Sequence, residues 1–123
     1  MKNFNLILLV EDDKIDHYIN QVIIERLGLA QNIIRCENGI QALDIVRKIY
    51  PDLILLDISM PVMDGLEFLQ ALRDEQLEDT PVVILSCSNN ARDIEQIAQY
   101  NVKYYLVKPL TEEKLAKMID RCF

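Results

Sequence analysis

The chain has 123 residues, half of them apolar and 27% charged, with a formal net charge of -7. That length allows one domain, residues 1–123, burying roughly two thirds of its unfolded surface, and the acidic balance argues against direct binding to nucleic acid. No apolar run approaches the ~18 residues of a membrane span, and the short first one meets three acids rather than a cleavage site, so a cytoplasmic protein without membrane association is expected.

Asn5 to Val10 is a compact apolar run without alternation, the pattern of a strand covered on both faces. Ile15, Tyr18, Ile19, Val22, Ile23 and Leu27 then keep the spacing of an amphipathic helix whose stripe packs on the core, and Gly28 is its stop signal. His17, the one histidine, falls on this helix and reads as a solvated surface residue. Asn32 to Glu37 is a weaker strand whose polar residues suit a sheet edge. Asn38-Gly39 turns into a helix with Ile40, Leu43, Ile45 and Val46 inward, broken at Tyr50-Pro51-Asp52 before the third strand, the apolar run Leu53 to Leu56 that ends in Asp57.

A loop punctuated by Pro61 and Gly65 follows, with Asp64 placed to cap a helix that turns Leu66, Phe68, Leu69 and Leu72 inward. Pro81 to Leu85 is the fourth strand, Ala91 to about Tyr100 the fourth helix and Val102 to Val107 the fifth strand. Thr111-Glu112-Glu113 opens the last helix, with an N-cap threonine and acids that suit the helix dipole. Five strands alternating with five helices imply an α/β fold with a doubly wound parallel sheet. The chain ends on its fifth helix, which leaves no room for an output domain.

Cys36, Cys87 and Cys122 are odd in number and widely spaced, as expected of reduced thiols: Cys36 in a strand, Cys87 in a loop, Cys122 at the end of the last helix. With a single histidine, neither a histidine-rich metal site nor a Ser-His-Asp triad is supported.

Open α/β sheets bind ligands at the carboxyl edge of their strands. The apolar runs end there in Glu11-Asp12-Asp13, in Asp57, in Ser86 and in Lys108. Acids at strand ends also solvate turns, but carboxylates sharing a cleft repel one another unless a cation intervenes. Mg²⁺ takes oxygen ligands, usually a few carboxylates with waters and phosphate oxygens. Asp13 suits a helix-start role.

Val10-Glu11-Asp12, the Asp57–Gly65 stretch reading D-x-x-M-P-x-M-D-G, Ser86 at a strand end and Lys108-Pro109 together resemble the response-regulator receiver domain of two-component signalling. The match runs over essentially the whole chain, in order and spacing. The resemblance implies a flavodoxin-like sheet of order 2-1-3-4-5. It implies that Asp57 takes a phosphoryl group from a phosphohistidine donor, a sensor histidine kinase or histidine phosphotransfer protein. Glu11, Asp12 and Asp57, with the Ser59 backbone carbonyl, would hold Mg²⁺, and Lys108 would neutralise phosphoryl oxygens. Ser86 would hydrogen-bond the arriving phosphoryl group and Tyr105 would swing inward as it moves. The family pattern also implies a cis bond before Pro109. Ser59 and Ser88 sit where side chains tune acyl-phosphate hydrolysis. The kinase would dock beside the first helix. The fourth helix, fifth strand and fifth helix, with Tyr104 and Tyr105 nearby, would face an unknown downstream protein.

Two rivals belong to other classes. A phosphorylation-independent pseudo-receiver would be a pure protein-binding module, which the complete set Glu11, Asp12, Asp57, Ser86 and Lys108 speaks against. A Mg²⁺-dependent phosphohydrolase with an aspartate nucleophile would want a second acid two residues on, where this chain has Ser59.

Overall fold

The computed structural model describes residues 2–123 apart from Ser59, Pro61 and 88–90, and only the backbone of 91–93. In chain order the elements are β1 (Phe4–Val10), α1 (Lys14–Arg26), β2 (Ala30–Cys36), α2 (Gly39–Ile49), β3 (Leu53–Asp57), α3 (Gly65–Asp74), β4 (Val82–Ser86), α4 (Ala91–Ile97), β5 (Val102–Val107) and α5 (Glu112–Cys122). The strands pair in parallel in the order β2-β1-β3-β4-β5. β1, β3 and β4 lie inside this sheet and are the runs without polar alternation, because both of their faces are covered. Five strands with five helices on both faces make the flavodoxin-like arrangement expected from the sequence.

Two cores sandwich the sheet. One gathers Ile7, Leu9, Leu53 and Leu55 under α1 and α5, with Ile24, Leu115, Met118 and Ile119. The other gathers Leu8, Val10, Ile54 and Leu56 under α2, α3 and α4, with Leu43, Val46, Phe68 and Ile97. The alternation along each strand divides its side chains between these two layers.

Caps fix where the helices begin. The Asp13 carboxylate accepts the N–H groups of Ile15 and Asp16, and Thr111 accepts that of Lys114. Asp64 and Glu67 form a reciprocal capping box at the start of α3. Gly65 cannot carry a side chain, since a Cβ there would lie 2.6 Å from the Ile58 Cα. That close approach, with the Gly65 N–H donating to Ile58 O at 3.0 Å, seats the start of α3 against the end of β3. Strand limits differ by a residue or two from the sequence reading, and α4 stops at Ile97 rather than near Tyr100.

The first helix differs more. Its apolar stripe was expected inward, yet Ile15 is 73% exposed, Tyr18 69% and Ile19 41%. The buried face instead carries His17, Asn20, Ile23 and Ile24, so His17 is not the solvated residue expected. Of the expected stripe, Ile23 is buried and Leu27 packs part-buried against the core. The cause is the short connection: Asp13 caps the helix three residues after β1, and its own N–H donates to the Glu11 carboxylate. The rotational phase follows from that pinned turn together with the burial of Ile23 and Ile24. Ile40 on α2 is likewise exposed rather than inward.

His17 Nδ1 and Asn20 Nδ2 are buried without a protein hydrogen-bond partner among the described residues. Burial, then the Arg35 charge, holds the His17 imidazole below its usual range. In the unfolded chain it titrates near ~6.5. Below that pH the unfolded state binds the proton more readily, so the His17 contribution to stability is lost on acidification. A leucine of similar bulk removes both the orphaned nitrogen and the titration. The stability of His17→Leu relative to wild type, from denaturant midpoints, therefore increases between pH 7.5 and pH 5.

Candidate functional site

Glu11 follows the last residue of β1, and its N–H still donates to Cys36 O at 3.0 Å, which extends the β1–β2 ladder to the edge. It is fully buried, whereas Asp12 beside it is exposed. Asp57 is the last residue of β3 and only 5% exposed. It pairs in register with Leu85, so Ser86, buried at the end of β4, stands one step further along the same edge. Lys108 follows β5, and its N–H donates to Ser86 O at 2.7 Å. The Lys108–Pro109 peptide bond is cis.

These strand ends converge. Ligand oxygens of Glu11, Asp12 and Asp57 all lie within 4.8 Å of one another. The Lys108 ammonium donates to Glu11 Oε2 at 2.9 Å and lies 3.4 Å from Asp57 Oδ2. Three carboxylates around one edge need positive charge, and a single ammonium supplies only part of it. The oxygen-only set, with one exposed member, fits a hard divalent cation such as Mg²⁺ that retains waters.

Burial raises the Glu11 carboxyl to about 7, with the Lys108 hydrogen bond opposing and the Asp57 charge adding to the rise. Burial also works against the charged form of Lys108. The Glu11 hydrogen bond, the charges of Asp57 and Glu11, and a bond to Asp16 outweigh it, so the ammonium stays protonated throughout the neutral range. In the metal-free chain Glu11 therefore costs stability as pH rises from its usual range towards 7, since the unfolded state releases its proton first.

Two contacts at this edge were not legible in the motifs. Asp16 lies in the first turn of α1, and its carboxylate accepts from Lys108 Nζ at 3.3 Å. Asp16 follows the Asp13 cap by three residues, in the first turn that the cap starts. Lys114, in the first turn of α5, donates from Nζ to Val107 O and Pro109 O, both at 2.9 Å. It thus clasps the backbone on either side of Lys108.

Tyr105 is half-buried three residues before Lys108, paired in register with Ile84 and packed on the core under α2–α4. Tyr104 packs on the opposite core. Ser59 and Ser88 lie outside the described residues, so the carbonyl ligand and the hydrolysis-tuning positions rest on sequence. The thiols are free: Cys36 buried, Cys87 exposed and Cys122 half-buried. Burial pushes the Cys36 thiol up to about 12, where it is inert. Among the described residues no helix is long and apolar enough to cross a membrane.

The chain matches the family model of the response regulator receiver domain over residues 7–120. It is 37% identical over 109 residues to a probable C4-dicarboxylate response regulator, DctR, of Halalkalibacterium halodurans, covering 89% of this chain and 47% of that protein. The chain thus spans about half the length of that relative. It is 33% identical over 114 residues to the polar-differentiation response regulator DivK of Brucella ovis, covering 92% of this chain and 91% of the relative. Among solved structures, the receiver domain of a Pseudomonas aeruginosa sensor histidine kinase, with a magnesium ion coordinated in its active-site cleft, superposes with a TM-score of 0.84. That domain is 28% identical, with 96% of each chain covered.

The raised Glu11 carboxyl makes cation binding and protonation compete. Mg²⁺ affinity is expected to weaken about tenfold from pH 8 to pH 6, as Glu11 takes up its proton at about 7; titration calorimetry checks this. Glu11→Gln binds more weakly throughout and loses that pH step.

Proposed function

The chain belongs to the response regulator receiver domain family, and from that premise we propose that it is a phosphoacceptor in a phosphorelay, with Asp57 as the group phosphorylated. The observation that carries this reading is the Asp57 carboxylate, buried at a strand end within 4.8 Å of Glu11 and Asp12 ligand oxygens and 3.4 Å from an ammonium. A carboxylate that ordinarily ionises near ~4 needs no general base to act as nucleophile. An Asp57 oxygen forms the new bond to phosphorus while the donor's P–N bond breaks and the electron pair leaves with imidazole. Lys108 Nζ, already between Glu11 and Asp57, turns an N–H toward the equatorial oxygens; such transfer is mostly positioning and electrostatics.

Glu11, Asp12 and Asp57, with the Ser59 carbonyl, would hold Mg²⁺, which supplies the remaining charge neutralisation. Its presence in the cleft of the similar Pseudomonas aeruginosa receiver supports that assignment. The Ser86 hydroxyl would donate to a phosphoryl oxygen. Because the backbone of Ser86 accepts the Lys108 N–H, movement at either residue is felt by β5, which carries Tyr105. Added charge of about -1.5 to -2 at Asp57 is the switch. The face of α4, β5 and α5 would present it to a downstream protein.

The donor would be a sensor histidine kinase or a histidine phosphotransfer protein in the cytoplasm. Exposed Ile15, Tyr18 and Ile19 on α1 give it an apolar landing beside the acidic edge. The net charge of -7 gives nucleic acid no attraction to this chain. Catalysis would be limited to the chain's own phosphorylation and dephosphorylation.

Incubated with Mg²⁺ and a small acyl phosphate, the wild-type chain gains one phosphate by intact-mass measurement and Asp57→Asn gains none. Failure of both to respond would favour a phosphorylation-independent module. Many turnovers of a phosphomonoester per chain would favour a hydrolase.

A further inference from the structure

The Lys108 ammonium has three N–H groups and three carboxylates around it: Glu11 at 2.9 Å, Asp16 at 3.3 Å and Asp57 at 3.4 Å. Glu11 and Asp57 both belong to the cluster whose oxygens converge within 4.8 Å; Asp16 does not. Asp16 is not needed to cap α1 either, because the Asp13 carboxylate already accepts the first free N–H groups. Its carboxylate is 42% exposed, at the open side of the cleft. The chain therefore keeps an extra negative charge at the edge where a phosphoryl group would arrive.

We infer that Asp16 is a positioning residue that restrains phosphoryl uptake by holding the Lys108 ammonium in the resting state. This rests on the reading of Asp57 as phosphoacceptor. Lys108 must give up a partner to donate to the phosphoryl oxygens. Glu11 is fully buried, and a buried carboxylate stripped of its cation is costly. Asp16 reaches water, so its bond is the one surrendered at least expense. Until then the pair draws the ammonium away from Asp57. The same charge repels an anionic donor directly.

Both effects have one sign, so removing the charge while keeping the shape speeds uptake. A unit charge a few ångströms from the reacting group in a solvated cleft corresponds to about a fivefold change in rate. The step followed is transfer from acetyl phosphate to an Asp57 oxygen, with acetate leaving as the donor's P–O bond breaks.

The experiment compares wild type, Asp16→Asn, Asp16→Glu and Asp57→Asn at saturating Mg²⁺ and varied acetyl phosphate, at low and high ionic strength. Asp16→Asn is expected to be phosphorylated about fivefold faster than wild type, with the advantage shrinking as salt screens the donor's repulsion. Asp16→Glu, which keeps the charge, stays closer to wild type than to Asp16→Asn. A residue serving only to hold the fold would slow both variants and lower their unfolding midpoints. If wild type accepts phosphate and Asp16→Asn is equal or slower, the restraint is overturned while Asp57 stands. If wild type accepts none, the phosphoacceptor reading falls and takes the restraint with it.

Discussion

Everything at the carboxyl edge depends on one ammonium placed among acids that would otherwise repel one another. Without Lys108, Glu11 would be a fully buried carboxyl facing Asp57 with no neutralising partner, at a cost of several kcal/mol if it stayed ionised. With Lys108, the edge is tolerable yet still short of positive charge. That residual deficit creates the demand for a divalent cation, and burial of Glu11 sets the pH at which the demand is felt. The strand order serves this single arrangement: β1 and β3 are adjacent and bring Glu11 beside Asp57, while β4 and β5 carry Ser86 and Lys108 to the same edge.

The ammonium is held by more than its carboxylates. The backbone N–H of Lys108 donates to Ser86 O, and Lys114 binds the carbonyls of the residues on either side of Lys108. Lys108 is thereby tied to the ends of β4 and β5 and to the first turn of α5 at once. A change in what Lys108 pairs with would therefore act directly on the ends of β4 and β5 and on the first turn of α5. Tyr104 and Tyr105 share β5 and pack on opposite cores, so strand movement is felt in both layers.

How much of this was legible in the sequence depended on the kind of constraint. Strands inside the sheet announce themselves because burial on both faces leaves only apolar side chains, as in Leu53 to Leu56. The site residues stand immediately after those runs, so Glu11, Asp12, Asp57, Ser86 and Lys108 could be placed together from position alone. The phase of α1 could not. Apolar spacing gives a stripe, but which way the stripe faces was decided by the Asp13 cap and the Glu11–Asp13 hydrogen bond together with the burial of Ile23 and Ile24. Asp16 was lost for the same reason: with Ile15 and Ile19 assumed inward, it would have pointed along a solvated flank. Lys114 reaches backbone carbonyls, and nothing in side-chain pattern reports such a partner.

The phase of α1 also has an energetic meaning. Burying an isoleucine contributes roughly 1.5–3 kcal/mol, and this helix forgoes that at Ile15 while burying His17 and Asn20 with nitrogens unpaired among the described residues. Turned so as to bury Ile15 and Tyr18 instead, the helix would lift Ile24 out of the core. Turned that way, Asp16 would leave Lys108, and the apolar side chains would leave the surface bordering the acidic edge. The observed phase keeps two features in place together: the Asp16 carboxylate on the Lys108 ammonium and exposed apolar side chains on the same helix. Both follow from the cap three residues beyond β1, so the turn that carries the acidic residues also fixes what the neighbouring surface can offer to a partner.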